Sequence, residues 1–148
     1  MRLTLHTDYA FRVLILATRD PKEKLLIGEV AEQLSISRNH LMKVVHQLAL
    51  SGFLETMRGR SGGFRLARAA EEIKLGDIVR VTEPNLRPVD CTGCLLLPAC
   101  GLPSIFRRAM IAFLSVLDDH TLADAAKGKI SLETILLPVA RSEALPLA

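Results

Sequence analysis

Residues 35–66 read SISRNHLMKVVHQLALSGFLETMRGRSGGFRL, and this stretch decides the fold. Ser37 is placed to cap a helix over residues 38–51, whose apolar positions Leu41, Val44, Val45, Leu48 and Ala49 recur at helical spacing. Gly52 stands where a left-handed residue closes a helix. Upstream, residues 27–34 read as a short helix with Val30, Ala31 and Leu34 inward, and Ser35-Ile36-Ser37 breaks the pattern. Two helices joined by so short a turn form a helix-turn-helix, and the second is the one that reads DNA. Downstream, residues 53–57 and 64–66 read as strands flanking the basic, glycine-rich tip RGRSGG, residues 58–63. A hairpin in that place makes the domain a winged helix.

Working outward, residues 7–18 (TDYAFRVLILAT) predict a helix capped by Thr7, with Asp8 near its positive end. Residues 19–24 form a polar turn. Residues 73–83 predict a helix with Ile78, Val79 and Thr82 on one face, bracketed by Pro84 and Pro88. A long helix then runs from Pro103 to about Asp119. Leu102, Ile105, Phe106, Ala109, Phe113, Val116 and Leu117 form its stripe, which Met110, Ile111 and an outward-facing Leu114 widen nearly all round. One small domain cannot cover such a helix on two sides, so it predicts a two-fold homodimer. Thr121 and Asp124 resemble a capping pair.

The fold class is thus mainly α with a small β-hairpin. Residues 1–84 form the winged helix-turn-helix, 85–101 a cysteine-bearing loop, 102–136 the dimerisation helix and a following helical segment, and 137–148 a flexible tail without periodicity.

Composition narrows the function. The chain has 148 residues, 49% of them hydrophobic and 24% charged, which excludes a disordered chain. No apolar run approaches a membrane span and the first residues lack a signal-peptide pattern, so the expected location is the cytoplasm, with no membrane partner. Five Phe, one Tyr and no Trp argue against stacking of single-stranded bases, though not against a duplex reader. The net charge of +3 is uneven: residues 1–68 hold eleven Lys and Arg against six Asp and Glu. That bias points to a polyanion. Arg38, Asn39, His40, Met42 and Lys43 lie off the apolar stripe at the start of the second helix, where side chains reach base edges. His46 and Gln47, further along, reach DNA backbone only. Arg58 and Arg60 supply the wing with charge for phosphates or a minor groove. No nucleophile elbow, phosphate loop or zinc-protease motif is present, so the chain does not read as an enzyme.

Cys91, Cys94 and Cys100 follow a Cys-x2-Cys-x5-Cys spacing, and an odd count so clustered reads as metal ligands rather than a disulfide framework. Three thiolates leave a fourth position, for which His6, Asp8, Asp90 and His120 are candidates; Leu95, Leu96, Leu97 and Pro98 would shield one side from water. Either zinc or an iron–sulfur cluster suits such a set. An electron carrier would leave the basic wing unexplained.

Several of these motifs together resemble the Rrf2-type winged-helix transcriptional regulators: Met1-Arg2-Leu3-Thr4 and Thr7-Asp8-Tyr9-Ala10, SRNHLMKVV at 37–45, RGRSGGFRL at 58–66, Pro98-Ala99-Cys100, and HTLAD at 120–124. The likeness spans about residues 1–130 and is strongest to the family's nitric-oxide-responsive repressors. It implies a homodimeric repressor of double-stranded operator DNA with nitric oxide as effector. It also implies one iron–sulfur cluster per subunit, four-iron rather than two-iron, held by Cys91, Cys94 and Cys100 and by Asp8 of the partner subunit. The family's variant with a histidine just after the third cysteine does not fit Gly101-Leu102-Pro103-Ser104. Cys91 and Cys94 stand closer than the family's first two cysteines usually do. An iron, cluster-status or redox sensor of the same family, or a zinc-stabilised DNA-binding protein, are the alternatives.

Overall fold

A computed structural model describes residues 2–57, 59 and 62–128. Arg58, Arg60, the end of the 102–136 segment and the 137–148 tail lie outside the described residues.

Helix α1 (Leu5–Ala17) starts earlier than the pattern predicts. Its cap is Thr4, in extended backbone, which accepts from the Thr7 N–H at 3.3 Å. Thr7 is buried in the first turn instead, because its hydroxyl is engaged elsewhere in the fold. Ala10, Val13, Leu14 and Ala17 carry the inward face. Helix α2 (Ile27–Gln33) is followed by a tight turn in which Ser35 takes a φ of 53° and Ile36 N–H returns to the Ala31 carbonyl at 2.9 Å. Ser37 then caps α3 (Arg38–Leu50) through the His40 N–H, as predicted. Gly52, at φ 73°, ends α3 with the paired bonds of a Schellman motif, Phe53 N–H to Leu48 and Gly52 N–H to Ala49.

Strands β1 (Leu54–Met57) and β2 (Gly63–Leu66) pair antiparallel with Leu54 opposite Leu66. Leu25 adds a bridge the sequence did not signal. It exchanges both backbone bonds with Phe64, at 2.8 and 2.9 Å, and so ties the wing to the turn before α2. Gly63 permits that approach, since a Cβ there would stand 2.5 Å from the Leu25 carbonyl oxygen. Phe53, Phe64, Leu14, Leu41, Leu48, Ile73, Ile78 and Leu122 are the largest fully buried side chains, one core beneath α1, α3 and the wing.

Helix α4 (Leu75–Thr82) begins two residues later than predicted. Ile73 and Leu75 instead pair with residues 120–122: Leu122 N–H reaches the Ile73 carbonyl at 2.8 Å and Leu75 N–H the His120 carbonyl at 3.1 Å. Helix α5 (Leu102–Asp118) packs chiefly on α4, and Met110 is its one buried residue. Its apolar surface divides. Phe106, Phe113, Leu114 and Leu117 are half-buried, whereas Leu102, Ile105, Ala109, Ala112 and Val116 are exposed. Leu114 therefore does not face outward; it turns toward the loop before α5. Helix α6 (Leu122–Ala126) opens with a full capping box between Thr121 and Asp124 and puts Leu122 into the core.

Candidate DNA-reading face and cysteine loop

Helix α3 turns Arg38, Asn39, His40, Met42 and Lys43 to the surface while Leu41, Val44 and Val45 anchor it in the core. Arg38 and Lys43 form no ion pair among the described residues. Their charges stay open to an external anion. His40 is partly engaged, its ring centroid 6.3 Å from that of Tyr9 on α1. Gln47 does not face outward to DNA backbone: its Nε2 donates to the Val81 carbonyl of α4 at 2.5 Å. The basic stretch divides in the same way. Arg65 pairs with Glu55 across the hairpin, and the Arg68 guanidinium lies 4.9 Å over the centre of the Phe53 ring. The wing tip turns at Gly59, whose φ of 117° suits only glycine, with Gly62 N–H on its carbonyl at 2.9 Å.

The loop between α4 and α5 runs through consecutive tight turns that space its cysteines. Cys94 N–H reaches the Cys91 carbonyl at 3.2 Å and Leu97 N–H the Cys94 carbonyl at 3.2 Å, and Cys100 N–H reaches the Leu97 carbonyl at 3.3 Å. Gly93, at φ 70°, permits the first of these turns. All three thiols are free, Cys94 exposed and the other two half-buried. Asp90 accepts from the Thr92 N–H at 2.9 Å, which holds its carboxyl below the usual range. Leu95 and Leu96 do not shield the cysteines within one chain. They point into solvent, Leu95 at 95% exposure, with no element among the described residues above them, while Leu97 lines the cleft that Cys91 also borders. A cleft of about 820 Å³ runs between the loop and α5, with Val89, Cys91, Phe106, Arg107 and Met110 among its walls.

No three Cys, His, Asp or Glu side chains among the described residues converge on one point as a single metal ion requires. Asp8 lies on α1, paired with Arg12 one turn on, at 2.7 Å to Nη2 and 3.2 Å to Nε. The chain thus brings the three cysteines into one loop and leaves Asp8 on a different element. His6, another candidate, has its Nε2 enclosed and without a hydrogen-bond partner among the described residues.

One residue the sequence reading passed over joins these parts. Oε1 of Glu83 accepts from the Thr4 N–H at 2.7 Å, the Thr4 hydroxyl at 3.1 Å and the Thr7 hydroxyl at 2.5 Å. The end of α4, where the cysteine loop departs, is thereby tied to the first turn of α1, which carries Asp8. The sequence offered one hint, an acid between a short apolar helix and Pro84.

The sequence profile of Rrf2, described as an iron-dependent transcriptional regulator, matches residues 3–128. The chain is 43% identical over 142 residues to the HTH-type transcriptional regulator NsrR of Bacillus licheniformis, covering 92% of this chain and 99% of that one. It is 44% identical to NsrR of Bacillus subtilis, covering 92% and 97%. Among solved structures it superposes on CymR, the global cysteine regulator of B. subtilis, with a TM-score of 0.68 and 27% identity, over 85% of this chain and 96% of that one. It superposes on T. potens IscR with a TM-score of 0.69 and 25% identity, over 86% and 87%.

Proposed function

Because this chain belongs to the Rrf2 family of transcriptional regulators, and is NsrR-like within it, we propose that it is a homodimeric repressor whose hold on operator DNA is set by an iron–sulfur cluster responding to nitric oxide. It is a DNA-binding regulator of winged-helix fold and not an enzyme. The observation that carries the rest is the meeting of two features in one short chain: a helix face with unpaired basic residues, and a loop of three free thiols joined to it through α4.

In this reading Arg38 and Asn39 read base edges, with His40 beside them, and Lys43, Arg58 and Arg60 contact the phosphates. Cys91, Cys94 and Cys100 hold a four-iron cluster, one per subunit, and the partner's Asp8 completes it. When bound, such a cluster offers nitric oxide the iron whose protein ligand is the hard carboxylate rather than a soft thiolate. Asp8 pairs with Arg12 when it is not a ligand, so it has two alternative partners and α1 can register which one it holds. No helix among the described residues is long and apolar enough to cross a membrane, and we place the protein in the cytoplasm, where thiols stay reduced. A second reading, an iron-status sensor with the same ligands, is favoured by the family's description as iron-dependent.

The test uses protein purified without air and an operator recovered by in vitro selection. Iron and inorganic sulfide near four per chain, with operator release on adding nitric oxide, support the proposal. Release on iron chelation but not on nitric oxide supports the second reading. Equal operator affinity before and after proven destruction of the cluster overturns both.

A further inference from the structure

Helix α5 packs on α4 and is fixed to the DNA-binding unit by polar ties at its C-terminal end. Met110 is its one buried residue, while its exposed apolar residues Leu102, Ile105, Ala109, Ala112 and Val116 repeat at alternating intervals of three and four, the 3.5-residue period of a helix-pairing seam; exposed Ile111 stands off that seam, on the cleft. At its C-terminal end two connections meet. One is the backbone pairing of residues 120–122 with 73–75. The other is a two-pronged ion pair: Arg80 Nη1 to Asp118 Oδ1 at 2.7 Å and Nη2 to Oδ2 at 2.5 Å, with Asp77 3.2 Å from Nη1. The parallel fork fixes direction as well as distance, which a single point contact would not.

Gly76 makes room for this clasp. A Cβ there would fall on the Asp118 carboxylate and lie 2.9 Å from Arg80 Nη1. Gly76 has no positive φ, so its backbone does not need glycine, and glycine is a poorer helix former than alanine. Space for the carboxylate is the reason this structure gives for a glycine at that place. Helix α4, which carries Arg80, also receives the Gln47 bond from the reading helix.

We propose that the Gly76–Arg80–Asp118 clasp is a specificity device: it sets the angle between the seam helix α5 and the reading helix α3, and so the separation of the two DNA half-sites a dimer accepts. This rests on the reading that α5 forms the dimer. In a two-fold dimer each reading helix projects from the shared seam by one rigid arm, and a small rotation at the joint moves both arms in opposite directions. Half-sites must match that separation, near one turn of DNA. Residues far from the DNA thereby choose spacing without choosing bases.

The experiment uses the full chain, with its cluster, and duplexes carrying the in vitro selected half-site as an inverted repeat. The centre-to-centre spacing is varied in single base-pair steps. Each protein is read as the ratio of its affinities for the best and neighbouring spacings, which cancels any inactive fraction. Gly76→Ala displaces the carboxylate while favouring the helix, Arg80→Gln removes the fork, and Arg80→Lys keeps the charge without it. Gly76→Ala and Arg80→Gln should flatten that ratio about two- to fivefold, or move the optimum by a base pair, with dimer mass and single half-site affinity unchanged. Arg80→Lys should rescue only in part. Wild-type spacing profiles in both Gly76→Ala and Arg80→Gln dimers would overturn the clasp alone. A monomeric wild-type mass would overturn the dimer reading and the clasp with it.

Discussion

Glu83 concentrates three hydrogen bonds on one carboxylate oxygen, and the cost of removing it falls on a neighbour. The Thr7 hydroxyl is fully buried, and without Glu83 it keeps only the Thr4 hydroxyl at 3.1 Å. A buried polar group short of a partner costs about 1–3 kcal/mol. Glu83→Ala should therefore lower the unfolding free energy from urea titration by about that amount, and Glu83→Gln, which keeps an oxygen acceptor, by clearly less; equal losses would mean that packing and not the acceptor matters. On the reading face, Arg38→Ala should cost about 1–3 kcal/mol and relax specificity, whereas Lys43→Ala should weaken all sequences alike and reduce the salt slope by about one. A salt titration on matched and mismatched duplexes separates the two. At this scale the sequence was legible where a residue acts through its own helix, as with the Ser37 cap and Gly52. It was not legible where two distant residues share an atom. Thr7 looked like a cap because Thr, Asp and an apolar run suffice for that pattern, and only the position of Glu83, 76 residues away, shows it to be interior.

The helices and strands were predicted to within about two residues because each has an apolar face of the right period, to which α3 adds a Ser37 cap and a closing glycine, although α2 and α4 have no side-chain cap. What the period could not show is which part of a broad apolar surface meets the same chain. Helix α5 is apolar on nearly every side, so nothing in its spacing separates Leu114, which turns toward its own loop, from Ile105, which faces solvent. Ile105→Glu should give a monomer by light scattering at micromolar concentration, since an unpaired charge in an apolar seam is costly. Leu114→Glu should instead lower thermal stability by loosening α5 from its own subunit. The joint of α5 has a pH signature. Arg80 pulls the Asp118 carboxyl below its ordinary value, and Asp118 with Asp77 raises Arg80. A carboxyl depressed on folding contributes stability that is complete above its unfolded value, near pH 4, and is lost as pH falls through the lower folded value. The wild type should lose stability below about pH 4 more steeply than Asp118→Asn, and the two should run parallel between pH 5 and 8. An identical acid limb in both would show that the pair adds nothing to folding.

Across the whole molecule, α4 receives a tie from every part that the proposed switch requires. Gln47 reaches it from the reading helix, the Thr4 and Thr7 pair from the start of α1, Asp118 from the seam helix, and the cysteine loop leaves from its end. The sequence showed those parts as separate motifs and could not show this convergence, because each tie joins residues at least 34 positions apart. The arrangement makes one variant decisive. Asp8→Ala removes a proposed ligand and leaves the three cysteines, the capping bond of Thr4 and the Glu83 ties in place, since none of these uses the Asp8 side chain. If the partner's Asp8 transmits the state of the cysteine loop to α1, then Asp8→Ala protein prepared without air should retain iron and sulfide. Its operator affinity should then no longer differ between loaded and cluster-free forms. Cys91→Ala, Cys94→Ala and Cys100→Ala should each lose the cluster and bind the operator as the cluster-free wild type does. Arg12→Ala is the control: it breaks the Asp8 pair within α1 without removing the carboxylate, so it should keep a difference between the two forms. An Asp8→Ala protein that still releases the operator fully on nitric oxide would show that the signal leaves the cysteine loop by the α4 end alone, through Glu83.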